Sequence, residues 1–463
     1  MRITFILLLL EIGLRQCGAM LLYAGGLKKV GPGSGSLTGN LTLYSIISYA
    51  SDLAPTRKPA ILPAQHSRLM RPPASVSRCF PAPSPLVTAP NSTAELAATI
   101  PISAPEQLTF PLSWLLEHAS APIQCRALTD VSGVVDPRSP DVDWLPYSYR
   151  PAIKLAVTQN RDGMWNHSVL ALPARHGADW ANIGTIPAVR RLSEYGWDRE
   201  SPPLVSARRI LFRLLAEDND PAFTFELSTK TRDDDIVRRS RGIFREAAAA
   251  TLAQIGYEND PRLRGAARRI LERTVSYLNS PLGEKPWMRV GNTHVLAPES
   301  APPSIYTLTM LAHMPIFRHE HFSEVERIYD WITQPLPRQD AVQLFGKKMV
   351  PQPHLVMGDV LPHRNAVEAD VPFALLWLET MARLNFLRRN EGWMKLFDRF
   401  VDDRDRNGVW HPHKGMDRPT TTNPWAWPIF PLDDGVGAES RWTDVTFRIG
   451  LIGKLLGREI ELI

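Results

Sequence analysis

From about Phe110 onward, apolar residues recur at helical spacing, and the stripes they form are cut by Gly, Pro and Asp-Pro. Ile183–Tyr195 places Ile186, Val189, Leu192 and Tyr195 on one face and ends at Gly196. Leu204–Ala216 does the same with Ile210, Leu211, Leu214 and Leu215. Ile243–Ile255 is Ala-rich and closes on Gly256-Tyr257, after which Asp260-Pro261 opens a helix carrying Leu263, Ala266, Ile270, Leu271, Thr274, Val275 and Leu278. Further helices are predicted over Ile305–Met314, Ser323–Thr333, Val371–Arg388, Trp393–Val401 and Trp442–Leu456. Runs of alternating β-branched residues are almost absent. Short loops between amphipathic helices make neighbours antiparallel. The unit repeats as helix, Gly-aromatic, acidic or Pro turn, then Arg-rich helix, in 189–215 and again in 246–278. Such a pair buries its inner face only by stacking on the next. The predicted fold is all-α: antiparallel helix hairpins over 106–463, arranged as an α/α toroid.

Residues 1–105 read differently. Met1-Arg2 precedes the apolar run Ile3–Leu10, as in a signal peptide, but Glu11 interrupts it and no A-x-A site follows. The run is too short to span a bilayer. Gly31–Ser36 and the Pro-rich stretch 71–90 have the composition of disorder. This part is expected to be a disordered or signal-like leader, or translated non-coding sequence upstream of the true start.

Composition adds limits. Net charge is +5 on 53 basic and 48 acidic side chains, with Arg spread among Asp and Glu. No basic face or nucleic-acid module stands out, so no nucleic-acid partner is expected. Cys17, Cys79 and Cys125 lie far apart and form no CxxC. That suits a reducing compartment, and the expectation is a cytoplasmic protein, or an exported one if residues 1–20 act as a signal.

Gln159-Asn-Arg-Asp-Gly163-Met-Trp165 fits Q-x-x-x-G-x-W. This resembles the repeat motif of squalene and other triterpene cyclases, whose barrel the protein-prenyltransferase β subunits share. Arg404-Asp-Arg-Asn-Gly408-Val-Trp410 is a degraded copy with Arg in place of Gln. The opening Trp114–Glu117 with Ile123–Leu128 is similar to uncharacterised bacterial members. The resemblance implies a toroid with a central cavity for an apolar or isoprenoid-type small molecule, and a motif that ties an outer helix to the turn after it. It does not bring the chemistry. A class II cyclase protonates an alkene with D-x-D-D, whose acid must stay protonated in an apolar cavity. Asp141-Val-Asp143-Trp144 lacks the third acid, and Asp233-Asp234-Asp235-Ile236 fails at its last position. Asp402–Arg406 misses D-D-x-x-D, and Cys125 with Asp130 lies far from any helix matching the prenyltransferase zinc set. No cofactor and no metal are expected.

The densest functional-looking stretch is Asp402–Asp434, too rich in Pro and aromatics for a helix. Long loops in compact domains commonly carry function. Trp410, Trp425 and Trp427, with Trp165, are the expected ligand-binding aromatics, and Asp403, Asp405, His411, His413 and Glu379 are the candidate catalytic groups. The competing reading is a loop that plugs the barrel with its own aromatics. Asp403-x-Asp405-x-Asn407-Gly408 opens like a calcium loop, but its twelfth position is Lys414 instead of Glu. The pairs His319/His321 and His411/His413 lack zinc spacing on a helix. His363, Glu368 and Asp370, ahead of Val371–Arg388, could supply acid–base chemistry in an α/α glycosidase or polysaccharide lyase, or serve as helix N-terminal charges. Sequence alone leaves three readings: a terpenoid-cyclase-like or prenyltransferase-like ligand-binding toroid, a carbohydrate-active toroid, and a non-enzymatic helical-repeat scaffold.

Overall fold

The computed structural model describes residues 106–173, 180–216, 235–361, 370–412, 417–433, 435, 437 and 439–463. His363, Glu368, His413, Lys414 and Asp434 lie outside the described residues, as do Asp233 and Asp234. So does the whole leader to Pro105.

The described residues are mostly helical. In chain order they form α1 (Leu112–His118), α2 (Ala121–Arg126) running into a π-turn (Ala127–Ser132), α3 (Leu145–Ser148), α4 (Arg150–Val157), α5 (Thr185–Glu194), α6 (Pro202–Leu214), α7 (Asp235–Gln254) and α8 (Pro261–Leu278). Then come α9 (Pro281–Glu284), α10 (Ile305–Ala312), α11 (Pro315–Glu320), α12 (Phe322–Ile332), α13 (Val371–Arg383), α14 (Glu391–Asp402) and α15 (Thr443–Leu455). The starts follow from local chemistry. Asp260 caps α8, Ser304 caps α10 and Asn390 caps α14, each accepting a backbone N–H, and Pro sits at N1 or N2 of several helices.

One set of helices is buried nearly all round, charged residues included. Every residue of α10 is buried, as are eleven of α15. These inner helices pack in series: α5 on α7, α7 on α10, α10 on α13, α13 on α15, and α15 on α2 and the π-turn. Amphipathic helices pack outside them, α4 on α5, α6 on α7, α8 on α10 and α14 on α15. Continuous apolar runs mark the inner helices α10 and α13, whereas α5 is inner although its sequence is a periodic stripe with Arg190, Arg191 and Glu194 on it.

Two small sheets depart from the all-α expectation. Strands β2 (Trp287–Val290), β3 (Thr293–Leu296), β4 (Val342–Phe345) and β5 (Lys348–Pro351) form a four-stranded sheet of two hairpins, joined by the parallel β3–β4 pair. Each hairpin turns on a glycine in the left-handed region, Gly291 or Gly346. Strands β1 (Gln107–Phe110) and β6 (Glu459–Leu462) pair in parallel.

The Gln159–Trp165 motif forms a tight turn at the end of α4. Asn160 N–H donates to Met164 O at 2.8 Å and Gly163 N–H to Asn160 O at 3.0 Å. Trp165 is fully buried, with its Nε1–H on Leu155 O at 2.9 Å and its backbone N–H on the Thr185 hydroxyl at 3.2 Å. Gln159 Nε2 reaches out to Pro203 O at 2.8 Å, at the start of α6. Gly163 has φ +90°, and a Cβ there would lie 2.8 Å from Ser206 O.

Arg404–Trp410 repeats this turn at the end of α14. Asp405 N–H donates to Val409 O at 2.8 Å, and Gly408 N–H to Asp405 O at 3.0 Å. Trp410 N–H meets the Thr446 hydroxyl at 3.1 Å. Arg404 Nη1 reaches Thr109 O at 2.6 Å, just ahead of α1. The first helix thus stands to the last hairpin as α6 stands to α4–α5.

Candidate functional site

Inner helices bring charged and polar side chains to their C-terminal ends. Arg126, Glu194, Gln254 and Arg383 are each the last residue of α2, α5, α7 and α13, and His313 follows α10. Arg448 enters from the middle of α15. Together they form a ladder, buried at Arg126, Glu194 and Arg448 and half-buried at Gln254, His313 and Arg383. Arg448 Nη1 donates to Glu379 Oε2 and Nη2 to Glu194 Oε2, both at 2.6 Å. Arg126 Nη1 holds the same Glu194 oxygen at 2.5 Å, and its Nε holds Asp130 at 2.8 Å. Arg383 Nη2 closes on Glu379 Oε1 at 2.9 Å. Gln254 donates to Glu194 Oε1 at 2.7 Å and accepts from Arg190 Nε at 2.9 Å.

The electrostatics follow from this pairing. Burial pushes the Glu194 carboxyl upward, but Arg448 and Arg126 outweigh it and hold it well below the usual carboxylate range. Burial is likewise overcome at Glu379 by Arg448 and Arg383. His313 is pushed down to about 4, by burial first and Arg383 second. The C-terminal helix dipoles add negative potential, which suits arginines there. Three arginines (126, 383, 448) face three carboxylates (130, 194, 379), so the ladder is self-neutral.

Above the ladder lies the segment Pro424–Phe430, buried throughout although it is a succession of turns. Arg191 Nη1 donates to Trp427 O at 3.0 Å and Pro428 O at 3.3 Å. Arg448 Nη2 donates to Ile429 O at 2.9 Å. Trp427 packs edge-on against Trp180 with centroids 5.9 Å apart. The Arg191 guanidinium lies over Trp427, Tyr195 and Trp180, at 4.9, 5.2 and 5.9 Å from the ring centroids.

A second group of carboxyls marks the opposite, N-terminal ends of two inner helices. Asp370 caps α13, accepting from Phe373 N at 3.0 Å, and its other oxygen accepts from the Thr421 hydroxyl at 2.9 Å. Asp444, in the first turn of α15, accepts from Leu432 N at 2.7 Å and Asp433 N at 3.2 Å, with Arg418 at 3.6 Å. Burial raises both above the usual range. Asp433 accepts from Ser120 N at 2.8 Å and from the Thr443 hydroxyl at 3.1 Å.

The four tryptophans singled out in the sequence fall in two places. Trp165 and Trp410 are the cores of the two repeat turns, and Trp425 and Trp427 are buried in the Pro424–Phe430 segment. Glu379 sits in the ladder. Asp403 follows α14 as its C-cap, beside Arg399, 3.9 Å away. Asp405 is used by its own turn, accepting from Asn407 N at 2.8 Å and Val409 N at 2.9 Å. Its other oxygen lies 3.8 Å from His411, which packs on Trp442. Asp141 and Asp143 are exposed. Cys125 is a buried thiol, its pKa pushed up to about 11 by burial and by Asp130. Among the described residues no three His, Cys, Asp or Glu side chains gather as a metal site would require. No helix among them is long and apolar enough to cross a membrane.

Sequence reasoning passed over Arg126, Glu194, Arg191 and Arg448. A signal existed: Arg448 lies between Phe447 and Ile449 in an otherwise apolar helix, as Glu379 lies between Leu378 and Thr380.

No family model, curated protein or solved structure matches the chain.

Proposed function

We propose that the chain is an α/α toroid of the squalene-cyclase and prenyltransferase type, and that it binds an apolar, isoprenoid-type small molecule inside the ring. The observation that carries this reading is the repetition of the Gln159–Trp165 turn's main-chain bonds in Arg404–Trp410, with the second copy reaching back to the start of α1. Such a tie suits a ring of hairpins in which the last adjoins the first. In this reading the ligand enters where the inner helices begin, and Trp180, Trp425 and Trp427 offer it aromatic faces. Asp370 is the acid of choice if the ring catalyses, because burial favours its protonated form.

Asp370 and Asp444 also give the carbohydrate-active reading its best support, since raised carboxyl pKa values suit general acids. Against it, the oxygens of Asp444 and Asp433, like those of Asp370, are taken up by backbone amides and hydroxyls, so an acid role for any of them requires one of these bonds to be given up.

The test is calorimetric titration of the full-length chain with farnesol and, separately, with xylohexaose. Saturable binding of farnesol alone is the expected result. Binding of the oligosaccharide alone moves the function to carbohydrate, and binding of neither favours a scaffold.

A further inference from the structure

Among the buried arginines, Arg191 stands apart. Its relative exposure is 4%, so its charge is out of water, where an ion without a counter-charge is costly. Yet the neighbouring ladder is already balanced, three guanidinium groups against three carboxylates, and none of those carboxylates bonds to Arg191. What Arg191 has instead is two carbonyl oxygens on one Nη and the faces of Trp180, Tyr195 and Trp427. Dipoles and ring quadrupoles compensate a cation only in part. Its Nε–H has no acceptor among the described residues.

Arg448 repeats the pattern one carbonyl further along. It holds Ile429 O, next to the Trp427 and Pro428 carbonyls held by Arg191, and its Nε–H is also buried without an acceptor. Two buried N–H donors thus remain unused on two arginines that grip three consecutive carbonyls. Buried donors without acceptors are rare in folded proteins. A neutral apolar ligand would satisfy neither. An oxyanion would satisfy the donors and supply the missing negative charge, through charge-assisted hydrogen bonds.

We infer that Arg191, seconded by Arg448, forms an oxyanion site beneath the 427–429 bend, and that the ligand is an amphiphile with an anionic head, a carboxylate or a phosphate, on its apolar body. The apolar body rests on the function proposed above; the head group rests on Arg191.

Farnesol and farnesoic acid share one chain and differ in charge, so they separate the two ideas. Calorimetry at pH 7.5 on the full-length protein is expected to show the carboxylate binding at least ~10-fold tighter, as one or two charge-assisted bonds would give. Farnesyl monophosphate in a third titration tells which oxyanion is preferred. Arg191→Met should abolish the difference between acid and alcohol. Arg191→Lys, which keeps the charge, should restore part of it. Equal affinity of alcohol and acid for the wild-type protein overturns the oxyanion site and leaves the apolar reading standing. Binding of neither overturns both. The wild-type comparison needs no variant, so misfolding of Arg191→Met would not protect the idea.

Discussion

The turns at Gln159–Trp165 and Arg404–Trp410 share a backbone and differ in their side chains. Both close the same pair of main-chain bonds, bury a tryptophan, and rest that tryptophan's N–H on a threonine hydroxyl of an inner helix. They differ in what reaches outward, an amide to Pro203 O or a guanidinium to Thr109 O. They also differ inside: Trp165 Nε1–H is satisfied by Leu155 O, whereas Trp410 Nε1–H has no partner among the described residues. The comparison teaches that the repeat is defined by its backbone bonds and its Gly and Trp, while the first position needs only a long donor.

The largest effect should come from removing the tryptophans. Trp165→Ala and Trp410→Ala each leave a cavity where a fully buried indole sat, a loss of about 3–5 kcal/mol in denaturant unfolding. Phenylalanine sharpens the contrast. Trp165→Phe additionally loses a hydrogen bond, about 1 kcal/mol, a penalty Trp410→Phe escapes. Equal losses in the two phenylalanine variants would show that the indole bond does not matter.

Acid should weaken the protein through groups that belong to neither turn. Half-buried His313 and buried His354 are both pushed down to about 4, chiefly by desolvation. A histidine held below its unfolded value of about 6.5 is protonated first in the unfolded chain. Its contribution is therefore complete above pH 6.5 and lost as pH falls toward 4, on the order of 3 kcal/mol apiece. Glu194 and Glu379, also held low, extend the loss below pH 4.5. The tryptophan variants should lower stability without changing its slope against pH, because the acids of the turns, Asp162 and Asp405, are exposed. A changed slope in Trp410→Ala would tie that turn to the ladder.

The glycines give a smaller and graded effect. Both have positive φ, but a Cβ at 163 meets backbone at 2.8 Å, whereas at 408 the nearest atom is Pro111 Cδ at 3.3 Å. Gly163→Ala should cost about 2–3 kcal/mol and Gly408→Ala about 1 kcal/mol. The reverse order would break the equivalence of the two turns. Smallest of all, Arg404→Gln should change stability by about 1 kcal/mol or less, by shortening the reach to Thr109 O.

Much of the architecture was legible because burial on one face imposes a period. The helices predicted over Ile183–Tyr195 and Ile243–Ile255 are observed at Thr185–Glu194 and Asp235–Gln254. The hairpins at 287–296 and 342–351 were not read, because strands of four half-exposed residues show too few alternations. Gly291-Asn292 and Gly346-Lys347 were the cues available. The ladder was harder still. Arg126, Glu194 and Arg383 sit in last turns of helices, where charged residues are ordinarily solvated. Only the closure of inner helix on inner helix takes water from them, and no local pattern records that contact.

The pairing of β1 with β6 also orders events in time. Gln107 meets Glu459, partners about 350 positions apart, and Arg404 must find Thr109 across nearly 300. Hairpins form locally and early, but closure of such a loop costs chain entropy that only late contacts repay. During synthesis β1 waits for this partner until β6 has left the ribosome. The first of the described strands is then fastened late, and the ladder, which joins Arg126 to Arg448 through Glu194, cannot neutralise itself before α15 is made.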